Sequence, residues 1–325
     1  MTSPRTPLRV FLAGLAVVVL WAGAFPAIRV AAPELGVIGL SIVRLAIASA
    51  ALLALAPLLG VRMPARRDIG PILACAFFGM AAYQLLLNWG ELEVSAGTAS
   101  LIVAAAPLVS VGIAAVTLGE RLTPAAMIGS AIALGGVAMV TLSSAGVSLS
   151  ASVWIVVAAM VVQGVYHPLS KPLLRRYSGM ELATYTMVAS TLMLLPLLPL
   201  AWDQLAAAST GAWFAAGLLG VLPSALGFVL WGYAVARLPV ASATALLYLV
   251  PPVAVLIAFL WLGELPSWGE LVGGAVVIGG VALISLSRAR STKRTGLKPH
   301  QHRWRFLRLP WNWAAACHDT SRHAA

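Results

Sequence analysis

The chain is a succession of long uncharged stretches separated by short polar segments. Apolar runs occupy approximately residues 9 to 28, 37 to 60, 70 to 90, 95 to 118, 125 to 142, 152 to 170, 182 to 200, 212 to 236, 239 to 262 and 267 to 287. Each approaches the roughly 20 residues that a helix needs to cross a hydrocarbon core of about 30 Å. The runs are continuously apolar and do not alternate in short segments, so they predict helices and not barrel strands. Short hairpins between them predict that sequential helices are neighbours. The fold class expected is an all-α polytopic membrane protein with ten transmembrane helices.

The pattern repeats. Residues 96 to 142 laid over 240 to 286, at a constant offset of 144 and without gaps, coincide at 16 of 47 positions, Pro107, Leu118, Gly119, Glu120, Gly135 and Gly136 among them. Apolar composition alone would give roughly 4 to 6, so the match signals a duplication. An offset of 142 extends it, setting Pro26 against Pro168 and Arg29 against Lys171. Each copy, 9–142 and 151–287, holds five predicted helices. Because five is odd, the second copy enters the membrane from the opposite side, giving two inverted five-helix repeats. Such an arrangement suits a carrier that opens alternately to either side, with its site where the copies meet near the midplane.

Composition agrees with this reading. The 325 residues are 61% hydrophobic and only 10% charged, with a mean hydropathy of +0.95, whereas a soluble surface calls for about 25% charged residues. The net charge of +11 first suggests nucleic acid or an acidic membrane surface, and the placement of the basic residues decides between them. With the N-terminus in the cytoplasm, 19 of the 21 Lys and Arg residues fall on that side, leaving Arg29 at an outer helix end and Arg44 inside the second run. The external hairpins carry Glu34, Glu91, Glu93, Asp203 and Glu264. Both termini are therefore expected in the cytoplasm, the membrane is the inner (plasma) membrane, and no nucleic-acid footprint remains. The first run could pass for a signal peptide, but it belongs to the repeat and is expected to stay. The tail, 288–325, holds nine basic residues against Asp319, with Trp304, Phe306, Trp311 and Trp313 interleaved. It reads as a disordered extension or a segment bound to anionic lipids. Cys75 and Cys317 define no disulfide framework, and His300, His302, His318 and His323 fit no zinc spacing.

Trp21 through Arg29, Arg44, Pro107 and the stretch Leu118 to Pro124, echoed in the second copy by Pro251 and Leu262-Gly263-Glu264-Leu265-Pro266, resemble the EamA-type pattern of the drug/metabolite transporter superfamily. The resemblance covers roughly residues 9 to 287. It implies a secondary carrier of a small metabolite or drug, often an exporter of amino acids or related amphipathic compounds, with no cofactor and no covalent chemistry. An intramembrane enzyme acting on lipid or isoprenoid groups would need acids, His or Cys clustered at one depth, which the runs lack. A non-transporting scaffold leaves the inverted symmetry without a use.

Polar and aromatic residues inside the runs are the candidate pathway, because an unpaired polar group in hydrocarbon costs several kcal/mol. Arg44, a charge whose insertion costs about 2.5 to 3.5 kcal/mol, reads either as an anchor for an anionic group or as a structural cation bonded to helix carbonyls. Met80, Gln84, Asn88 and Glu91 share one helical face, flanked by Tyr83 and Trp89, and read as lining a water-filled cavity or as packing hydrogen bonds. Gln163, Tyr166 and His167 lie in the sixth run, Gln163 being the repeat mate of Trp21; Phe25 lies in the motif, and Trp231 and Tyr248 add aromatic surface. Pro26, Pro107, Pro168, Pro251 and Pro252 are helix-break candidates, and the mid-run prolines Pro107, Pro251 and Pro252 free the carbonyls of Val103, Leu247 and Tyr248. Ser267 to Glu270 reads as a capping box, Thr123-Pro124 as a helix start, and the Gly135-Gly136 and Gly279-Gly280 pairs as close helix contacts. No acid lies deep in any run, which leaves the driving force open between proton exchange through His167 and facilitated diffusion.

Overall fold

In the computed structural model, which describes residues 8–118, 124–144, 151–237 and 246–295, the apolar runs form helices, and no strand occurs among the described residues. The motif residues 119–123, the tail beyond 295 and the side chain of Tyr248 lie outside that description. The first half comprises α1 (Leu8–Leu55), α2 (Ile69–Ala76), α3 (Tyr83–Gly90), α4 (Ala96–Val103), α5 (Ala106–Leu118) and α6 (Pro124–Ser144). The second comprises α7 (Ala151–Leu173), α8 (Gly179–Leu194), α9 (Trp202–Ala207), α10 (Thr210–Leu219), α11 (Gly227–Arg237), α12 (Val250–Leu262) and α13 (Trp268–Thr295). Among the described residues, five helical stretches are long and apolar enough to cross a membrane: Leu8–Leu55, Arg66–Gly90, Ala151–Leu173, Gly179–Ala207 and Thr210–Arg237. Shorter apolar helices span Ala96–Ser110, Val250–Leu262 and Trp268–Gly280.

Local chemistry explains the boundaries. α1 consists of two helices that meet at Gly36, where φ is +68° and an added Cβ would fall 1.9 Å from Gln204 Oε1, so only glycine fits both the backbone and the space. Ser95, Ser178 and Ser209 cap α4, α8 and α10 by accepting amide N–H bonds. The capping box at α13 is present: the Ser267 amide donates to Glu270 and the Glu270 amide to the Ser267 hydroxyl. Gly263 ends α12 in the left-handed conformation, its N–H returning to Phe259 O.

Two features were not foreseen from the sequence. α2 passes into α3, and α10 into α11, through π-helical turns at Phe77–Ala82 and Gly220–Leu226. A π turn widens the helix by one residue and unpairs local backbone groups, a device common at functional sites. The second difference concerns neighbours. α1 packs chiefly against α10, α12, α8 and α11, and α7 against α3 and α5, so the opening helices of each half are buried mainly by the opposite half.

One glycine of each pair, Gly136 and Gly280, makes a close helix contact while Gly135 and Gly279 face open space, and the two contacts are reciprocal. A Cβ on Gly136 of α6 would lie 2.6 Å from the Val277 amide nitrogen, and one on Gly280 of α13 would lie 2.6 Å from that of Ala133. The offset of 144 that aligns the sequences converts each contact into the other.

Each end of the bundle is pinned by charges. At one end Arg62 Nε bonds Glu181 Oε1 at 2.8 Å, Arg176 bonds Asp68, and the Tyr177 hydroxyl donates to Asp68 Oδ2 at 2.8 Å. At the other, Arg29 Nη1 donates to the carbonyls of Glu91 and Leu92, at 2.7 and 3.0 Å, where α3 ends. Arg29 Nε also faces Glu264 Oε1 at 3.4 Å, and Glu264 Oε2 accepts the Ala96 amide at the start of α4. A cation thus meets carbonyls at one helix end and an anion meets an amide at the next helix start, each in the sense the helix dipole favours.

Candidate substrate cavity

A cavity opens inside the bundle, with about 660 Å³ of empty space that includes its mouth to solvent. The first half supplies Trp21, Phe25 and Arg44 from α1, Tyr83 and Leu87 from α3, and Ser100, Val103, Ala104, Ala106 and Pro107 around the break between α4 and α5. The second half supplies Gln163 and His167 from α7, Phe228 from α11, and Leu247 and Val250 at the start of α12. Both proline-linked breaks therefore reach its wall: Pro107 lines it directly, and Val250 immediately precedes Pro251. Pro252 is exposed, while Pro26 and Pro168 lie within continuous helix.

Arg44 is 4% exposed, and the π turn in the second half holds it: Nε donates to the Ser224 hydroxyl at 2.7 Å. The same turn presents the Pro223 carbonyl, which accepts from Trp21 Nε1 at 3.1 Å. Gly227, just beyond, leaves room for that indole, since a Cβ there would meet Trp21 Nε1 at 2.7 Å. In the first half, the other π turn presents Gly79 to the ring of Tyr166 in a comparable way. Trp21 packs on Phe228 and Trp231, and His167 packs edge-on to Trp231, so the aromatic wall is two layers deep.

The site residues expected from the sequence thus divide. Trp21, Phe25, Arg44, Tyr83, Gln163, His167 and Pro107 come together on the cavity wall. Tyr166 and Trp231 stand behind that wall as packing partners of Phe228 and Trp21. Gln84 and Asn88 are buried away from the lining, and Asn88 Nδ2 donates to the Ser41 hydroxyl at 2.9 Å, tying α3 to α1. Ser224 and Pro223 were missed, although a proline followed by a serine inside an otherwise apolar run was a visible signal. Glu91, assigned to an external hairpin, is fully buried, with neither carboxylate oxygen hydrogen-bonded among the described residues. Burial raises its pKa well above the ordinary carboxylate range, against the opposing pull of Arg29 and Arg44 and with a further push from Glu264.

Apolar all-helical construction around a cavity with one buried cation defines a polytopic membrane protein that admits a small molecule. The EamA-like transporter family matches this chain twice, over residues 8–142 and 150–286, and the protein belongs to that family. It is 55% identical over 282 residues to a probable terminal-alkyne amino-acid exporter of Streptantibioticus cattleyicolor, covering 86% of this chain and 95% of the relative. It is 33% identical over 275 residues to the uncharacterized transporter YdfC of Bacillus subtilis, covering 84% and 90% respectively. A crystal structure of a protein 20% identical to this chain superposes with a TM-score of 0.62, covering 87% of this chain and 98% of the other, which shows a shared fold. The protein is a multi-pass membrane transporter of a small molecule and not an enzyme, in keeping with the names of its relatives.

Proposed function

We propose that this protein is a secondary carrier that exports an amino acid with an apolar side chain across the plasma membrane by alternating access. In this reading ten spans form two inverted repeats, 9–142 and 151–287, with both termini cytoplasmic and the basic tail against anionic lipid. The observation that carries the reading is the cavity itself: one buried guanidinium, with Nη1 unpaired among the described residues, set in an aromatic and aliphatic wall drawn from both halves. A guanidinium fits a carboxylate, and the apolar wall fits a side chain without charge. The relative named a terminal-alkyne amino-acid exporter supports the cargo, since an alkyne side chain is apolar. The reciprocal glycine contact and the double family match support the repeats.

Purified protein in liposomes, loaded with labelled L-propargylglycine, leucine, lysine or glutamate, tests it. Saturable efflux of the apolar amino acids, lost in Arg44→Leu, is the expected result. Absence of protein-dependent flux for the apolar pair, or equal flux for lysine and glutamate, would overturn it. A reporter fused to the C-terminus checks the ten-span topology, which an external signal contradicts.

A further inference from the structure

The cavity wall holds three buried side chains with an unpaired polar atom among the described residues: Arg44 Nη1, Gln163 Oε1 and His167 Nδ1. The first is a donor that carries positive charge. The other two are acceptors, because an amide oxygen has only lone pairs to offer, and an imidazole with its proton on Nε2 offers the lone pair of Nδ1. They come from opposite halves of the molecule. Arg44 belongs to α1, whereas Gln163 and His167 are four residues apart on one face of α7. Both α7 side chains are more than nine-tenths buried, at 5% and 6% exposed, so each unpaired acceptor has been desolvated without compensation from the fold. α7 is itself held firmly: the Gly164 carbonyl accepts from the Ser110 hydroxyl at 2.7 Å, and a Cβ at Gly164 would fall 2.8 Å from the Ala106 carbonyl oxygen. The acceptors therefore sit on a fixed frame beside the α4–α5 break.

We propose that Gln163 and His167 form a subsite for the substrate's α-ammonium group, so that the cavity selects zwitterionic α-amino acids and rejects analogues that lack the amine. The proposal rests on the reading of Arg44 as the carboxylate anchor. An ammonium group brings three N–H donors, two of which satisfy the α7 acceptors, and the aromatic rings of Trp21 and Phe228 line the same cavity. A carboxylic acid without the amine satisfies Arg44 and leaves both acceptors buried and unpaired. A site built to receive N–H donors discriminates strongly against a ligand without them. The zwitterion also joins α1 to α7, and so ties the first half of the chain to the second.

The test is binding to the full-length protein in detergent, measured by calorimetry with L-propargylglycine, 2-hydroxypent-4-ynoate and pent-4-ynoate. These three share a side chain and a carboxylate and differ only at the α-substituent. Wild-type protein is expected to bind the amino acid at least about 30-fold more tightly than either analogue. Gln163→Leu and His167→Phe should each weaken the amino acid about 10-fold while leaving the analogues unchanged, compressing the ratio. Gln163→Glu, which keeps an acceptor and adds a negative charge, should retain the amino acid and weaken the analogues further. Equal binding of all three ligands by wild type, or an equal loss of all three in Gln163→Leu, overturns the ammonium subsite. If the three bind equally and Arg44→Leu abolishes all, the carboxylate anchor stands and the subsite alone fails. If none binds, both readings fail.

Discussion

Arg44 Nε and the Ser224 hydroxyl, 180 residues apart in sequence, meet at 2.7 Å inside the bundle. The bond joins α1, beyond its break at Gly36, to a π turn of the other half, and it orients the guanidinium so that Nη1 is left for the cavity. Removing the hydroxyl keeps the charge and loosens its aim. Ser224→Ala should therefore raise KM for a transported amino acid by about 10-fold, the lower end of the roughly 10- to 150-fold that a hydrogen bond to a charged group contributes. Ser224→Thr should restore it. Concentration-dependent efflux from liposomes measures both, and an unchanged KM in Ser224→Ala would remove Ser224 from any positioning role.

The Arg29–Glu264 pair links α1 to the loop between α12 and α13, with partners half-shielded at 28% and 24% exposure. Partial exposure limits its strength to about 1 kcal/mol. Reversal is another matter, because Arg29→Glu would set two carboxylates side by side and turn a negative charge toward the carbonyls of Glu91 and Leu92. The single reversals should lower the melting temperature more than the double exchange does, and a double-mutant cycle reads the coupling. Strict additivity of the two singles would show that the pair contributes nothing.

Glu91 should leave a signature in pH. Its native pKa is raised by burial, so the folded protein binds this proton more tightly than the unfolded chain does. The associated stability is present in full below the unfolded value near 4.5 and is lost as pH rises toward the native value. Glu91→Gln, which is neutral throughout, should flatten that part of the profile and melt higher than wild type at neutral pH. Thermal unfolding in detergent across pH 4 to 8 gives the comparison, and parallel profiles for the two proteins would contradict it.

Gly36 offers the sharpest single-site stability test. Alanine there must adopt φ +68° and displace Gln204. With ψ at 164° this is the extended positive-φ region reserved for glycine, where the backbone cost alone is about 1 to 3 kcal/mol, so Gly36→Ala should unfold at distinctly lower temperature. Gly36→Ala combined with Gln204→Ala should recover only the steric part. Full recovery in the double variant would mean that the backbone conformation carries no cost.

Much of this was legible in the sequence because the bilayer imposes length and apolarity on every span. The apolar runs, the proline breaks at Pro107 and Pro251, the Ser267 capping box and the inward Arg44 all follow from rules that act within one helix. What escaped depends on contacts between distant segments. Nothing in Phe77 to Ala82 announces a π turn, and Asn88 could not be told from a cavity residue until Ser41 was found opposite it. Glu91 looked solvated because it follows a helix end, yet Arg29 and its neighbours close over it. The pairing of Arg44 with Gln163 and His167 around one cavity likewise needed the packing of α1 across the second half.

The reciprocal contact of Gly136 with Val277 and of Gly280 with Ala133 has an ancestral implication. A surface on which position i meets j while j meets i is the kind that a closed dimer of identical subunits makes across its two-fold axis. Each half still carries such a surface at corresponding positions. The covalent chain therefore sets corresponding positions of its two family-matched halves against each other, and co-expressing the two halves as independent polypeptides should reassemble the bundle along that glycine seam.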